Sequence, residues 1–294
     1  MLAGQILNGL VSGAMYALVA IGLTLVVGVF DKLNFAQPEV FMLGGFIGLV
    51  SLTYLPLEWS FAFALVVGGL LGLFTEFVAF RRFQSADSRT TAALSSLALG
   101  LVLTDLVHKV WGTEQVPLPQ RAGWLSGTFG IAGVQFLNLQ LLVLGVTLTL
   151  MIGLHFLITK ARIGRQIRAL AEAPTAAALL GINVLRVKQS VFFISSALAA
   201  VAGLLLALRS DAANSDIGLT FGLKAMAIMA IGGMGDLRGA VFAGFLIGVI
   251  EAVMFHFGLG RLGEMTVWLA MILILILRPS GLFSGGLHSR EQRV

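Results

Sequence analysis

Cysteine is absent from the chain, which excludes disulfides, thiol chemistry and thiolate metal sites. Charge is scarce as well. Asp, Glu, Lys and Arg make up 11% of the 294 residues, far below the roughly 25% of ordinary soluble domains. Long stretches without a hydrophobic run are also missing, and about 20 apolar residues are enough to cross a bilayer, so no soluble domain is expected. The chain reads as one membrane domain over residues 1–294.

Catalytic and cofactor motifs are missing too. There is no GxSxG elbow and no HExxH, and His108, His155, His256 and His288 are scattered. GLTFGLK at 218–224 lacks the spacing of a phosphate-binding loop and the Ser or Thr that should follow its lysine. The chain is therefore not expected to hydrolyse ATP, to bind a cofactor or to hold a metal. A potassium filter and an arginine ladder are likewise absent.

What is present is hydrophobicity, at 58% of residues. Apolar runs lie near 6–29, 37–54, 60–80, 92–110, 138–158, 188–208, 220–233, 239–257 and 264–277. They predict an all-α polytopic bundle of eight or nine membrane crossings. The first run carries no Lys or Arg and reads as a retained span rather than a secretory signal. The run at 220–233 is short and ends in IGGMGDLRG, the pattern of a half-helix that stops inside the protein.

Orientation follows from Lys and Arg. With the N-terminus outside, Lys32, Arg81, Arg82, Arg89, Lys160, Arg162, Arg165, Arg168, Arg186, Lys188, Arg238, Arg278, Arg290 and Arg293 fall inside. Only Lys109, Arg121, Arg209 and Arg261 fall outside, so N-out, C-in is expected. Nine spans, or eight with a re-entrant pair, satisfy that orientation. The net charge of +5 is spread between spans rather than over one surface, which points to anionic lipid headgroups and not to nucleic acid. Residues 111–135 read as an outer loop with Trp111 and Trp124 at headgroup level.

Glycines fall four apart at Gly9 and Gly13, Gly44 and Gly48, Gly68 and Gly72, and Gly244 and Gly248, a spacing suited to close helix packing. The stretch VVGVFDKLNFAQPEVFMLGGFIG is weakly similar to AIGGMGDLRGAVFAGFLIG, and transporters often place substrate where such repeats meet. Ionisable residues inside the runs are Glu76, Asp105, His108, Lys224 and Glu251, each expensive unless it faces protein or water. Asp105 and Lys109 suit an ion pair near the outer headgroups, whereas Glu251 lies deeper and reads either as a pathway residue or as part of a structural pairing. LNFAQPEVF, at 33–41, sets Asn34, Gln37 and Glu39 at a break where Pro38 can open a new helix. This break reads either as a polar surface for substrate or as a tight inner turn.

The inner loop, 159–187, contains a segment that Pro174 can start and Gly181 can end, with residues from Ala176 to Leu180 favouring helix between them. A helix of about two turns has no stability of its own in water and needs a surface to dock on. TAAALLG, at 175–181, resembles the EAA-x3-G loop of bacterial ABC importer permeases, with Thr175 in place of the glutamate and without the downstream Ile-x-Leu-Pro element. SGAMYALVAIGLTLVVGV, LNFAQPEVFMLGG, LLGINVLRVKQSVFFISSALAAVAGLLLA, GLKAMAIMAIGGMGDLRGAVFAGFLIGVIEA and LILRPSGLF look like the branched-chain amino acid permease family of ABC importers.

That resemblance implies an inner-membrane pore formed with a second permease chain, identical or different. It also implies cytoplasmic ATPase subunits and a periplasmic substrate-binding protein. It makes Pro174, Thr175, Ala176, Ala177, Ala178 and Gly181 the ATPase-coupling segment; the polar break and the spans themselves supply Asn34, Gln37, Glu39 and Glu251 as pathway candidates. Family members commonly read NFAHGE where this chain reads NFAQPE, a departure that leaves urea, short amides or small carboxylates open as cargo. Outside the family, the residues also allow an ion-coupled secondary transporter or a passive small-solute channel.

Overall fold

A computed structural model describes residues 2–83, 88–119, 125, 127–131 and 134–283. Helices α1 (Leu2–Phe30), α2 (Gln37–Tyr54), α3 (Leu57–Thr75), α4 (Arg89–Trp111), α5 (Asn138–Lys160), α6 (Arg162–Glu172), α7 (Pro174–Leu179), α8 (Val184–Ser210), α9 (Ile217–Gly232), α10 (Leu237–His256) and α11 (Gly260–Leu277) follow in order. A π-helical turn, Glu76–Phe80, prolongs α3. Each apolar run expected from the sequence is a helix, so the polytopic helical architecture stands. Among the described residues, six helices are long and apolar enough to cross a membrane: α1, α3 with its π turn, α4, α5, α8 and α10.

The segment expected as an outer loop, 111–135, departs from a plain loop where it is described. Strand β1 (Val116–Pro117) pairs antiparallel with β4 (Ala212–Ala213), and β2 (Thr128–Ile131) with β3 (Val134–Leu137). Trp111 ends α4 and packs on Phe46 with ring centroids 5.1 Å apart. Trp124, Arg121, His288, Arg290 and Arg293 lie outside the described residues.

Helices α1 and α8 form the centre, because their sequences are apolar on every side and such helices are stable only when enclosed. In each, 89% of the most apolar stretch is buried, against 22% in α5, whose outer face is left for lipid. The two run antiparallel: Ser12 meets Arg209, Gly22 meets Ser195 and Phe30 meets Lys188.

Around this pair the chain repeats itself. Phe30 ends α1 and Ser210 ends α8; Asp31 and Asp211 follow with positive φ of 52° and 59°; α2 and α9 then start at Gln37 and Ile217, and α3 and α10 at Leu57 and Leu237. Helix α1 packs on α10 as α8 packs on α3, so residues 2–80 and 184–256 form an inverted repeat. The weak similarity seen in the sequence matched the α1–α2 junction with the α9–α10 junction instead. Packing pairs α1–α2 with α8–α9, and the glycine-rich resemblance reflects shared composition.

The glycine pairs close these contacts. A Cβ on Gly9 would stand 2.7 Å from Gly248 O, and one on Gly13 2.7 Å from Gly244 O, so two of the spaced pairs face each other where α1 crosses α10. Side chains there would force the backbones apart.

Candidate transport site

The loops after α1 and α8 turn back into the bundle, and α2 and α9 begin halfway along the two central helices. Gln37 Nε2 donates to Ser195 O at 3.0 Å, while Ser195 Oγ donates to Gly22 O at 2.8 Å, and Gly22 and Ser195 are mid-helix residues. The first turns of α2 and α9 abut symmetrically: Gly222 lies against Pro38, Gly218 against Met42, and the rings of Phe41 and Phe221 stack at 5.5 Å. Two helix N-termini, each carrying partial positive charge, therefore meet inside the protein.

Glu39 answers that charge. It lies in the first turn of α2, its Oε2 accepts from Thr104 Oγ1 of α4 at 2.8 Å, and the same oxygen adjoins Gly218 at the start of α9. Asn34 and Gln37 are fully buried and bonded, Asn34 Nδ2 donating to Gln37 Oε1 at 3.2 Å and Asn34 Oδ1 accepting from Ala36 N at 3.1 Å. Pro38 occupies the first turn of α2, where a missing N–H is harmless.

Glu251 belongs to a different place. Its Oε1 accepts from Lys224 Nζ at 2.8 Å and its Oε2 from Tyr16 Oη at 2.8 Å, so α10, α9 and α1 are tied together. The pair is mostly buried, at 8% side-chain exposure for Lys224 and 21% for Glu251. Glu251 lines a cavity of about 650 Å³ with Gln5, Asn8, Ser12, Tyr16 and Arg209. Arg209 Nη1 donates to Ser12 Oγ at 2.6 Å, and Asn8 Oδ1 accepts from Gln140 Nε2 of α5 at 2.8 Å. The spans had marked Lys224 and Glu251 singly, because each is an ionisable group in an apolar run. Nothing local marked Tyr16, Ser12 or Asn8, and Arg209 sits where basic residues are ordinary. Asp105 and Lys109 form an exposed ion pair at 2.8 Å and are not among the residues given for the lining of this cavity.

At the other end of the bundle, two helices follow α5. Helix α6 buries Gly164, Ile167 and Leu170 and turns Arg162, Arg165 and Arg168 toward its other face. Helix α7 is the short segment expected from Pro174 and Gly181. Pro174 stands in its first turn, Gly181 has φ +83°, and Ile182 N bonds Ala177 O at 3.1 Å to close its end. Ala177 is buried beneath it, whereas Thr175, Ala176 and Ala178 face outward. Leu179, the last residue of α7, and Leu180 after it suit a helix by sequence, and they are 85% and 83% exposed.

A crevice of about 380 Å³ joins α7 to the core, lined by Pro174, Thr175, Lys32, Glu76, Arg81 and Lys188 among others. Burial, then the charges of Lys188 and Arg89, hold the Lys32 ammonium below its ordinary pKa. Lys32 Nζ donates to Phe83 O and Ser88 Oγ, and Asp31 pairs with Arg89, so the start of α4 is fastened to the end of α1.

A helical membrane bundle in which two helices begin inside the protein, with a small exposed helix on one face, is the architecture of a transporter permease. Residues 5–277 match the family described as the branched-chain amino acid transport system permease component, and the chain belongs to that family. It is 34% identical over 294 residues to the high-affinity branched-chain amino acid transport system permease protein BraD of Pseudomonas aeruginosa, covering 95% of this chain and 94% of the relative. It is 32% identical over 290 residues to LivH of Escherichia coli K12, of the same description, with the same coverage. Among solved structures, PsaBC from Streptococcus pneumoniae in complex with Fab superposes with a TM-score of 0.50 at 15% identity, covering 93% of this chain and 91% of that one, a likeness of fold alone. The protein is thus a multi-pass inner-membrane permease subunit of the ABC class, and ATP hydrolysis belongs to partner subunits.

Proposed function

We propose that this permease imports branched-chain or related small amino acids. It would act with a second permease chain, cytoplasmic ATPases and a periplasmic binding protein that delivers the cargo. The names of the relatives support the cargo class. All nine long helices count as crossings in this reading, with the N-terminus outside and the C-terminus inside, which agrees with the distribution of Lys and Arg. The pathway candidates remain Asn34, Gln37, Glu39 and Glu251, and Glu251 lines an open cavity.

The observation that carries the reading is α7 with its two bare leucines. A six-residue helix that exposes Leu179 and the adjoining Leu180 has a face made for a protein cleft, and ATP-driven closure of the ATPases would move it as a handle. The crevice beneath links α7 to the inner ends of α1, α3 and α8, so a push on α7 reaches both halves of the repeat. The departure at Gln37 does not favour different cargo, since its amide is occupied by Ser195 O.

Replacing Leu179 and Leu180 together by serine tests this directly. Uptake by the assembled importer should fall by on the order of tenfold or more, with ATPase subunits lost on purification, while the permease remains in the membrane. Unchanged uptake, or a parent chain that transports without any ATPase, refutes the reading.

A further inference from the structure

The crevice beneath α7 gathers more positive charge than it balances. Among the described residues that line it, three cations, Lys32, Arg81 and Lys188, stand against one carboxylate, Glu76, an excess of two positive charges. Basic residues at an inner membrane face ordinarily carry their charge out into water. Lys32 and Lys188 are half-buried instead, and burial followed by the charge of Lys188 holds the Lys32 ammonium below its ordinary pKa. Lys188 makes, among the described residues, no hydrogen bond or ion pair, and its ammonium stands 5.5 Å from the centroid of the Phe30 ring. Its three N–H donors are therefore open to a ligand or to water. Phe192, which also lines the crevice, packs on Phe80 and Phe30 with ring centroids 4.8 and 5.9 Å apart. Such aromatic walls lower the local dielectric, so an anion meeting these cations is attracted more strongly than in open water.

We propose that this crevice is a binding site for a phosphomonoester, held by Lys188, Arg81 and Lys32 with the Thr175 hydroxyl of α7 as a further donor. A phosphomonoester carries about 1.5 to 2 negative charges and three acceptor oxygens, which matches the excess. A carboxylate or a phosphodiester brings one charge and leaves a cation uncompensated. The same chemistry occurs in soluble phosphate compounds and in the headgroup of phosphatidate in the inner leaflet. Bound there, the phosphate joins Thr175 of α7 to Lys32 after α1, Arg81 after the π turn and Lys188 of α8. If α7 is the handle proposed above, occupancy governs how firmly it is seated; the binding itself depends neither on that reading nor on the cargo.

The test uses the full-length chain in phosphatidylcholine nanodiscs, which keeps the nucleotide sites of the ATPases out of the measurement. One arm follows binding of radiolabelled orthophosphate to saturation. The other adds phosphatidate or phosphatidylglycerol to the bilayer and reads which lipid the chain retains by native mass spectrometry. Saturable orthophosphate binding that phosphatidate leaves unchanged assigns a soluble ligand; retention of phosphatidate over phosphatidylglycerol, with orthophosphate displaced or too weak to saturate, assigns the headgroup. Either result supports the site. Lys188→Gln should weaken whichever ligand binds by on the order of tenfold, with Lys188→Arg retaining most of it. Lys160→Gln, at an exposed lysine that does not line the crevice, should leave binding unchanged. Arg81→Gln, at an exposed position, should weaken binding by about threefold or more, and it carries the test alone if Lys188→Gln is not monodisperse on size exclusion. No saturable orthophosphate binding together with no preference for phosphatidate overturns the site. So does equal binding by a monodisperse Lys188→Gln, no loss in Arg81→Gln, or a loss in Lys160→Gln as large as that in Lys188→Gln, which would mean that surface charge alone draws the anion.

Discussion

Glu39 illustrates how much a residue's meaning depends on what surrounds it. In the sequence it is a carboxylate beside a proline at a break; in the bundle it faces the first turns of two helices at once and accepts from Thr104. Glu39→Gln removes the negative charge while keeping the shape. It should lower the stability of the purified chain by about 1–2 kcal/mol, the range for a partly buried charge at a helix terminus, read as a fall in the thermal midpoint in detergent. A midpoint unchanged from the parent would mean that the two N-termini do not need the carboxylate. Gly13 is a second such residue: Gly13→Val drives a side chain into the Gly244 backbone, and monodisperse, stable protein should be lost on size exclusion. Retention of both would show that α1 and α10 can separate freely.

At the scale of elements, α7 was legible and α6 was not. Pro174 and Gly181 punctuate α7 locally, and Gly181 indeed occupies the left-handed region. Gly181→Val should cost roughly 1–2 kcal/mol there and turn the helix away from its partner, so ATPase subunits should co-purify less well and uptake should fall. Full co-purification would argue that α7 bends to fit. Helix α6 was missed because its arginines dominate its composition; its apolar face is the spaced set Gly164, Ile167 and Leu170, which shows only once a helical period is assumed. The internal repeat was also legible only in part. Glycine-rich runs look alike in any register, whereas the true correspondence is carried by the left-handed Asp31 and Asp211, each followed by a helix that starts at depth.

For the whole molecule, the natural lack of cysteine makes single-cysteine labelling clean. Glu114→Cys should react with impermeant maleimide from the outer side and Glu172→Cys only from the cytoplasmic side; both residues are exposed. Labelling of the two from the same side would overturn the nine-crossing, N-out arrangement. The inverted repeat places the Glu251 cavity and the basic crevice at Lys32 and Lys188 toward opposite ends of the antiparallel central pair, near the C-terminal end of α8 and the C-terminal end of α1 respectively. A movement of one repeat against the other therefore reaches both, a geometry suited to exposing a site alternately.

By itself the amino-acid sequence determined the helical membrane class, the positions of the long helices, the short capped helix and the family likeness. Each of these depends on hydrophobic runs and local punctuation, which are properties of neighbouring residues. Only the tertiary structure decided that α1 and α8 lie at the centre, that α2 and α9 meet head to head, and that Arg209 and Ser12 join Tyr16 and Glu251 around one cavity. Those relations join residues far apart in the chain, and they are set by which apolar surfaces close on one another, a choice that no local pattern records.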